Sequence, residues 1–196
     1  MYRRIITLLL IFVTGLVPIF AGKRPLSLSF GVASGGALTR DERFPMKPQW
    51  HINLGAGADL PMGGPISLGL GLAFHKTAAS SLEGGFLYRS HSGMDCRLYL
   101  TAERILLPLR LRDFRIYPGL SAGVLARYDK YELTTLYFFY PGIFLQPFVE
   151  IGKAGRLSLI VSLPLDYYFR RDLKLSMSAG LGLSLRWYMR KNYEAF

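Results

Sequence analysis

Beyond its first twenty residues the sequence has no uninterrupted apolar run approaching the roughly 18 residues that a transmembrane helix needs. Cysteine is nearly absent as well. Cys96 stands alone, which excludes an internal disulfide, and no Leu-x-x-Cys box precedes a cysteine, which argues against an N-terminal lipid anchor. Histidine is limited to His51, His75 and His91. Acidic residues are also scarce, with 13 Asp and Glu against 24 Lys and Arg and a formal net charge of +11. A basic balance of this size suits either nucleic acid or anionic lipid. The basic residues are scattered through alternating segments, with no basic helix and no zinc, homeodomain or RNA-recognition motif, so nucleic acid is not an expected partner and anionic lipid head groups are preferred.

What the chain does contain is alternation. From Leu173 to Met189 the odd positions carry Leu, Met, Ala and Trp187, while the even ones carry Lys, Ser, Gly, Arg and Tyr. A period of two sustained this far marks a β-strand. Soluble strands usually span about five or six residues, whereas a tilted strand crossing a bilayer needs roughly nine to eleven. One aliphatic face and one of Gly, Ser and charge suit lipid outside and a crowded lumen within. A large soluble β-sandwich is the competing reading.

The N-terminus has the layout of an export signal: basic Arg3 and Arg4, an apolar stretch from Ile5 to Phe20, then small residues at Ala21 and Gly22. Residues 1–22 are therefore expected to be a cleaved signal peptide, with a retained helical anchor as the alternative that Gly15, Pro18 and the modest length disfavour, 23–189 the barrel, and 190–196 a short periplasmic tail. Further alternating segments follow: Leu26–Ala33, Gln49–Leu60, Ile66–His75, about Cys96–Leu111, Phe114–Ala126, Ile143–Gly152 and Arg156–Phe169. The fourth changes parity near Glu103, which predicts a bulge or a late strand start, and Pro108 needs a bulge or rim nearby to excuse its missing donor. The expected fold is all-β: an eight-stranded antiparallel transmembrane up-and-down β-barrel following a cleaved signal peptide. Long connections at 36–48, 76–95 and 128–142 alternate with tight turns such as Pro61–Pro65 and Lys153–Gly155. That asymmetry places both termini in the periplasm of a bacterium and the long loops outside.

Taken together, the export signal, the eight alternating segments and the loop pattern resemble the small bacterial outer-membrane β-barrel class, such as the OmpA transmembrane domain, OmpX and OmpW-like proteins. The stretch Ile105–Val124 is similar to the central hairpin of the broad outer membrane β-barrel domain families. Gly182, Leu185 and Trp187 resemble the C-terminal signal read by the barrel-assembly machinery, although the chain continues to Phe196 on the other parity. The resemblance implies an outer-membrane location, contact with lipid and lipopolysaccharide, and a monomer.

An eight-stranded barrel is just wide enough for side chains to fill, so any chemistry lies among inward groups. Asp59, Arg110, Arg115, Glu150 and Arg186 are expected near the periplasmic ends, and His51, His75, Asp166, Tyr168 and Lys174 nearer the outside. Buried charges must pair, so the first set is expected to form a salt-bridge plug, with ion gating as the alternative. If Leu60 pairs with Ile66, His51 and His75 face each other, and with Asp166 they become candidate metal ligands; neutral packing or a pH-sensitive pair competes with that reading. Inward Leu106, Leu125, Phe144, Phe148 and Ile160 serve packing, or an OmpW-like path for small hydrophobic molecules. A lipid A-modifying enzyme is a further alternative, but adjacent His91 and Ser92 point apart in an extended chain and His75-Lys76-Thr77 only distantly echoes a His-x-Ser motif. The expected protein is a non-enzymatic, cofactor-free barrel with a structural or surface-interaction role, its outer loops available to an extracellular ligand.

Overall fold

The computed structural model describes residues 26–40, 49–63, 65–78, 80–81, 87–88, 91–103, 109–111, 114–131, 137–152, 156–169 and 175–189. Eight strands close into an antiparallel barrel: β1 (Ser27–Arg40), β2 (Gln49–Gly63), β3 (Ile66–Thr77), β4 (His91–Glu103), β5 (Phe114–Tyr131), β6 (Tyr137–Gly152), β7 in two segments (Leu157–Ser162 and Leu165–Tyr168) and β8 (Leu175–Tyr188). Each pairs with its neighbours in sequence, and β8 returns to β1 with an unbroken register from Ser27 opposite Tyr188 to Arg40 opposite Leu175. In hydrocarbon no water replaces a missing backbone partner, so a sheet crosses a membrane only when closed. The alternation decides which face is which. Phe30, Leu54, Leu70, Leu100, Leu120, Ile143, Leu183 and Leu185 are exposed on the outer wall, whereas Asp59, Asp95, Ser121, Glu150, Ser178 and Arg186 are buried within.

Several strands run further than the alternation of apolar residues suggests. β3 reaches Thr77 and β4 begins at His91, so the 76–95 connection shrinks, with the short pair Ser80–Ser81 and Leu87–Tyr88 inside it. β5 extends to Tyr131 and β6 starts at Tyr137, which leaves 132–136 in place of 128–142, and β1 continues to Arg40. The polar residues that look loop-like here, Asp95, Arg127 and Asp129, alternate inward within strands and are satisfied by one another. Beyond Glu103 the strand pairing with β5 resumes at Leu109–Leu111. Glu103 faces Gly119 and Leu109 faces Ile116, so six steps along one strand match three along the other. That odd excess reverses parity, as the sequence pattern near Glu103 requires; Leu106 and Pro108 lie outside the described residues.

β7 breaks at Leu163–Pro164, yet the register is the same on both sides of the break. Ser162 faces Phe148 and Gly182, while Leu165 faces Leu145 and Ala179. Leu163 N donates to Pro147 O at 2.9 Å and Gly180 N to Pro164 O at 3.1 Å, so the proline removes one donor without shifting the ladder. The expected signal peptide and the 190–196 tail lie outside the described residues.

The lumen has two unlike walls. β1, β2, β3 and β8 contribute Gly and Ser, while β4 and β6 contribute Tyr99, Phe144 and Phe148, and the Tyr99 and Phe148 rings lie over glycines of the neighbouring strands. A Cβ at Gly69 would stand 2.0 Å from the Tyr99 ring, and one at Gly119 would stand 2.2 Å from the Phe148 ring. Glycine is required at both because the ring occupies the place of a side chain. At Gly55 and Gly71 the nearest atoms are 3.4 and 3.5 Å away, an ordinary contact. Gly119→Ala is therefore expected to lose about 1–3 kcal/mol through overpacking, whereas Gly55→Ala and Gly71→Ala stay near wild type. Urea unfolding of barrels refolded in vesicles checks this; equal losses at all three sites would contradict the packing account.

Candidate functional site: the barrel lumen

Two layers of paired charge cross the lumen. The first lies toward the end where β1 begins and β8 ends. Arg186 of β8 reaches Glu150 Oε2 of β6 at 3.1 Å through Nη1 and Asp59 Oδ2 of β2 at 3.2 Å through Nη2. Glu150 Oε1 also accepts from Ser158 Oγ at 2.6 Å and from the Tyr188 hydroxyl, and Ser27 Oγ donates to Asp59 Oδ2 at 3.5 Å. The Arg186 guanidinium lies over the Phe148 ring, 5.6 Å from its centroid. One planar fork thus ties together strands that are distant in sequence, since its donors diverge in fixed directions.

The second layer lies toward the opposite end and centres on Asp95 of β4. Arg127 of β5 clamps it through two bonds, Nε to Oδ1 at 2.7 Å and Nη2 to Oδ2 at 2.9 Å. Arg97 Nη2 bridges to Asp166 Oδ2 of β7 at 3.0 Å and approaches Asp95 Oδ2 at 3.5 Å. Asp166 Oδ2 also accepts from Tyr168 Oη and Ser178 Oγ at 3.1 and 3.2 Å. His75 of β3 stands 2.7 Å from Asp129 Oδ1 through Nε2, with Nδ1 3.7 Å from Asp95 Oδ1. Arg127 also stacks on Tyr168, 4.1 Å from the ring centroid, beside the buried cluster of Leu125, Tyr140 and Phe144.

Between the layers lies a cavity of about 130 Å³. Its lining runs from Ser29, Gly31 and Gly55 on the small-residue wall to Tyr99, Phe144 and Phe148 on the aromatic wall, with Arg97 and Arg186 at its two ends. Asn53 Oδ1 and Arg97 Nε meet no hydrogen-bond partner among the described residues. A space of this size holds several waters, which would satisfy such groups.

The expected plug residues are thus partly brought together. Asp59, Glu150 and Arg186 meet in one cluster. Arg115 takes the inward parity at the start of β5 opposite Gly152, and Arg110 is paired in register with Arg115, its side chain outside the described residues. The opposed-histidine expectation is corrected. β2 continues through Pro61 with an irregularity before Gly63, so Leu60 pairs with Leu68, His51 with Thr77 and His75 with Asn53. A two-residue shift preserves which face each residue takes but changes its partner. His75 is instead held by aspartates, and among the described residues no group of three or more His, Cys, Asp or Glu is placed to hold a metal ion. Lys174 and the His91 side chain lie outside the described residues. Gly182 points inward between Ala33 and Ser162, whereas Leu185 and Trp187 point outward.

Asp95, Arg97, Arg127 and Asp129, absent from the expected inward set, also face the lumen. The signal was parity: Arg127 and Asp129 continue the inward series of Ser121, Gly123 and Leu125, and Asp95 and Arg97 continue that of Tyr99 and Thr101. Removing one partner of a buried ion pair leaves an uncompensated charge and costs about 3–5 kcal/mol. Arg186→Met is expected to show such a loss in urea unfolding, while the triple variant Asp59→Asn, Glu150→Gln, Arg186→Met recovers most of it because no charge is left alone. A triple variant as unstable as the single one would refute the pairing account.

No protein-family model matches the chain, and no curated protein matches it. Among solved structures, Neisserial surface protein A is similar at 10% identity, covering 84% of this chain and 97% of that one, with a TM-score of 0.55. The attachment invasion locus protein Ail of Yersinia pestis aligns at 12% identity over 84% and 99%, with a TM-score of 0.45. The N-terminal β-barrel domain of Pseudomonas aeruginosa OprF aligns at 11% over 81% and 97%, with a TM-score of 0.40. The likeness to Neisserial surface protein A carries the comparison, and at this identity it is a likeness of fold: the chain is a closed eight-stranded antiparallel barrel of the kind that small outer-membrane proteins adopt.

Proposed function

We propose that this chain is a monomeric integral protein of a bacterial outer membrane whose lumen is sealed, and that its role is structural or surface-interacting and not that of a diffusion pore. The observation that carries the reading is the pair of charge layers, Asp59–Arg186–Glu150 and Asp95–Arg127–Asp129 with Arg97, Asp166 and His75, which tie opposite walls of the lumen together. An outer wall of exposed aliphatics supports the membrane placement. So does an aromatic rim that includes Trp50, Phe74 and Phe139 toward one end, with Trp187 and Phe114 toward the other.

The short 64–65 and 153–156 connections join strands at the end where β1 begins and β8 ends. Short turns of such barrels face the periplasm, so the proposal puts the termini there and the 41–48, 78–90, 132–136 and 169–174 connections outside, available to an extracellular ligand. Residues 1–22 are proposed as the export signal. Gly182, Leu185 and Trp187 on the closing strand β8 are proposed as the signal for the assembly machinery.

In planar bilayers the refolded protein is expected to give no persistent conductance; steady, ohmic channels from a verified folded preparation would overturn the sealed-lumen reading. An epitope inserted at 132–136 is expected to be stained on intact cells, and one at the C-terminus only after the outer membrane is permeabilised. The reverse pattern would invert the orientation.

A further inference from the structure

We infer that an oblique groove on the outer wall seats one acyl chain of a phosphorylated outer-leaflet lipid, whose head group is held by Lys76 and Lys130. The inference rests on the membrane placement proposed above. The register defines the groove. One bank is the row Phe74, Leu54, Val32 and Leu183, successive partners across β3, β2, β1 and β8. The other bank is Leu72, Ala56, Phe30, Leu185 and Leu159, which continues onto β7. Between the banks run Ala73, Gly55, Gly31 and Ser184, which take the inward parity, so the floor is backbone. Ala56 keeps one bank low. The result is an apolar groove of about 630 Å³.

Strand spacing of about 4.8 Å makes a path across five strands roughly 19 Å long, which suits one extended acyl chain and is narrow for a folded protein segment. The groove begins near the loop end of β3 and descends toward the terminal end of β7 and β8, because the strands are staggered around the barrel. At its upper end the next outward residue after Phe74 is Lys76. Lys76 pairs with Ser92, and Ser92 pairs with Lys130, which puts both exposed lysines in one row, two strand spacings or roughly 10 Å apart.

Directly beneath them lies the outward row Phe74, Met94, Tyr128 and Phe139. Aromatic side chains of that kind mark the interfacial level of a bilayer, and the lysines stand one step beyond it, where lipid phosphates lie. Ammonium groups at that height and an apolar slot running down from them match the two parts of one amphiphile: phosphate above, acyl chain below.

The test uses the full chain refolded in neutral detergent with dipalmitoyl phosphatidic acid, and counts bound lipid by native mass spectrometry. One phosphatidic acid per barrel is expected to be retained, and dipalmitoylglycerol is not. Lys76→Gln with Lys130→Gln is expected to weaken retention roughly thirtyfold. Ala56→Phe, an apolar change on the lipid-facing wall that fills the slot, is expected to weaken it comparably while leaving the lysines intact. Equal retention by all variants, equal retention of the diacylglycerol, or a dimer that Ala56→Phe abolishes would each overturn the lipid seat. Every variant is also run boiled and unboiled on gels. A mobility shift shows the barrel intact, and its absence in the wild type would sink the membrane-barrel reading itself and not this inference alone.

Discussion

Every feature of this barrel depends on closing the hydrogen-bond ladder between β1 and β8. Their register is continuous from Ser27 and Tyr188 to Arg40 and Leu175, so neither end strand presents an open edge. In a bilayer an unpaired amide costs several kcal/mol, and a row of them would forbid insertion. Closed with eight strands, the barrel has a lumen that side chains can fill.

The narrow lumen then imposes a packing problem and an electrostatic one. Packing is solved by small residues: those on β1, β2, β3 and β8 give room for Tyr99, Phe144 and Phe148, and Gly69 of β3 and Gly119 of β5 lie under the rings of their register partners Tyr99 and Phe148. The electrostatic problem is solved by grouping. Arg186 serves two carboxylates, and Arg127 meets Asp95 through two donors on one edge of its guanidinium while its face covers Tyr168. A lone buried ion would carry a desolvation penalty of several kcal/mol, so charges enter this lumen in sets. The pairs also join strands far apart in sequence, which makes them cross-braces of the closed form as well as obstacles to diffusion.

The outer wall follows a different rule, because lipid asks only for apolar surface with an interfacial rim. Within that freedom the side chains differ in height, and Ala56 between Phe30 and Leu72 leaves a depression that runs obliquely to the lysines of the loop end. The inner and outer walls share their backbone. Gly31 and Gly55 therefore count in both, giving space to the lumen on one side and a bare floor to the groove on the other.

The sequence by itself determined the class of structure. A period of two repeated over eight long segments, with short and long connections in alternation, favours a closed barrel with every aliphatic side outward over a sandwich, and the physical information for it is local: each residue's parity decides its face. It also marked Asp59, Glu150 and Arg186 as inward and charged, and the irregularity near Glu103 through its change of parity. What only the tertiary structure decided is which inward residues meet. Partners depend on register, and register follows from turn geometry that parity does not constrain: a two-residue shift at Pro61–Gly63 separates His51 from His75 without moving either to another face. Likewise Asp95, Arg127 and Asp129 look like loop residues in isolation, since their charges are acceptable in a strand only when the curvature of the closed barrel brings each one to its counter-charge.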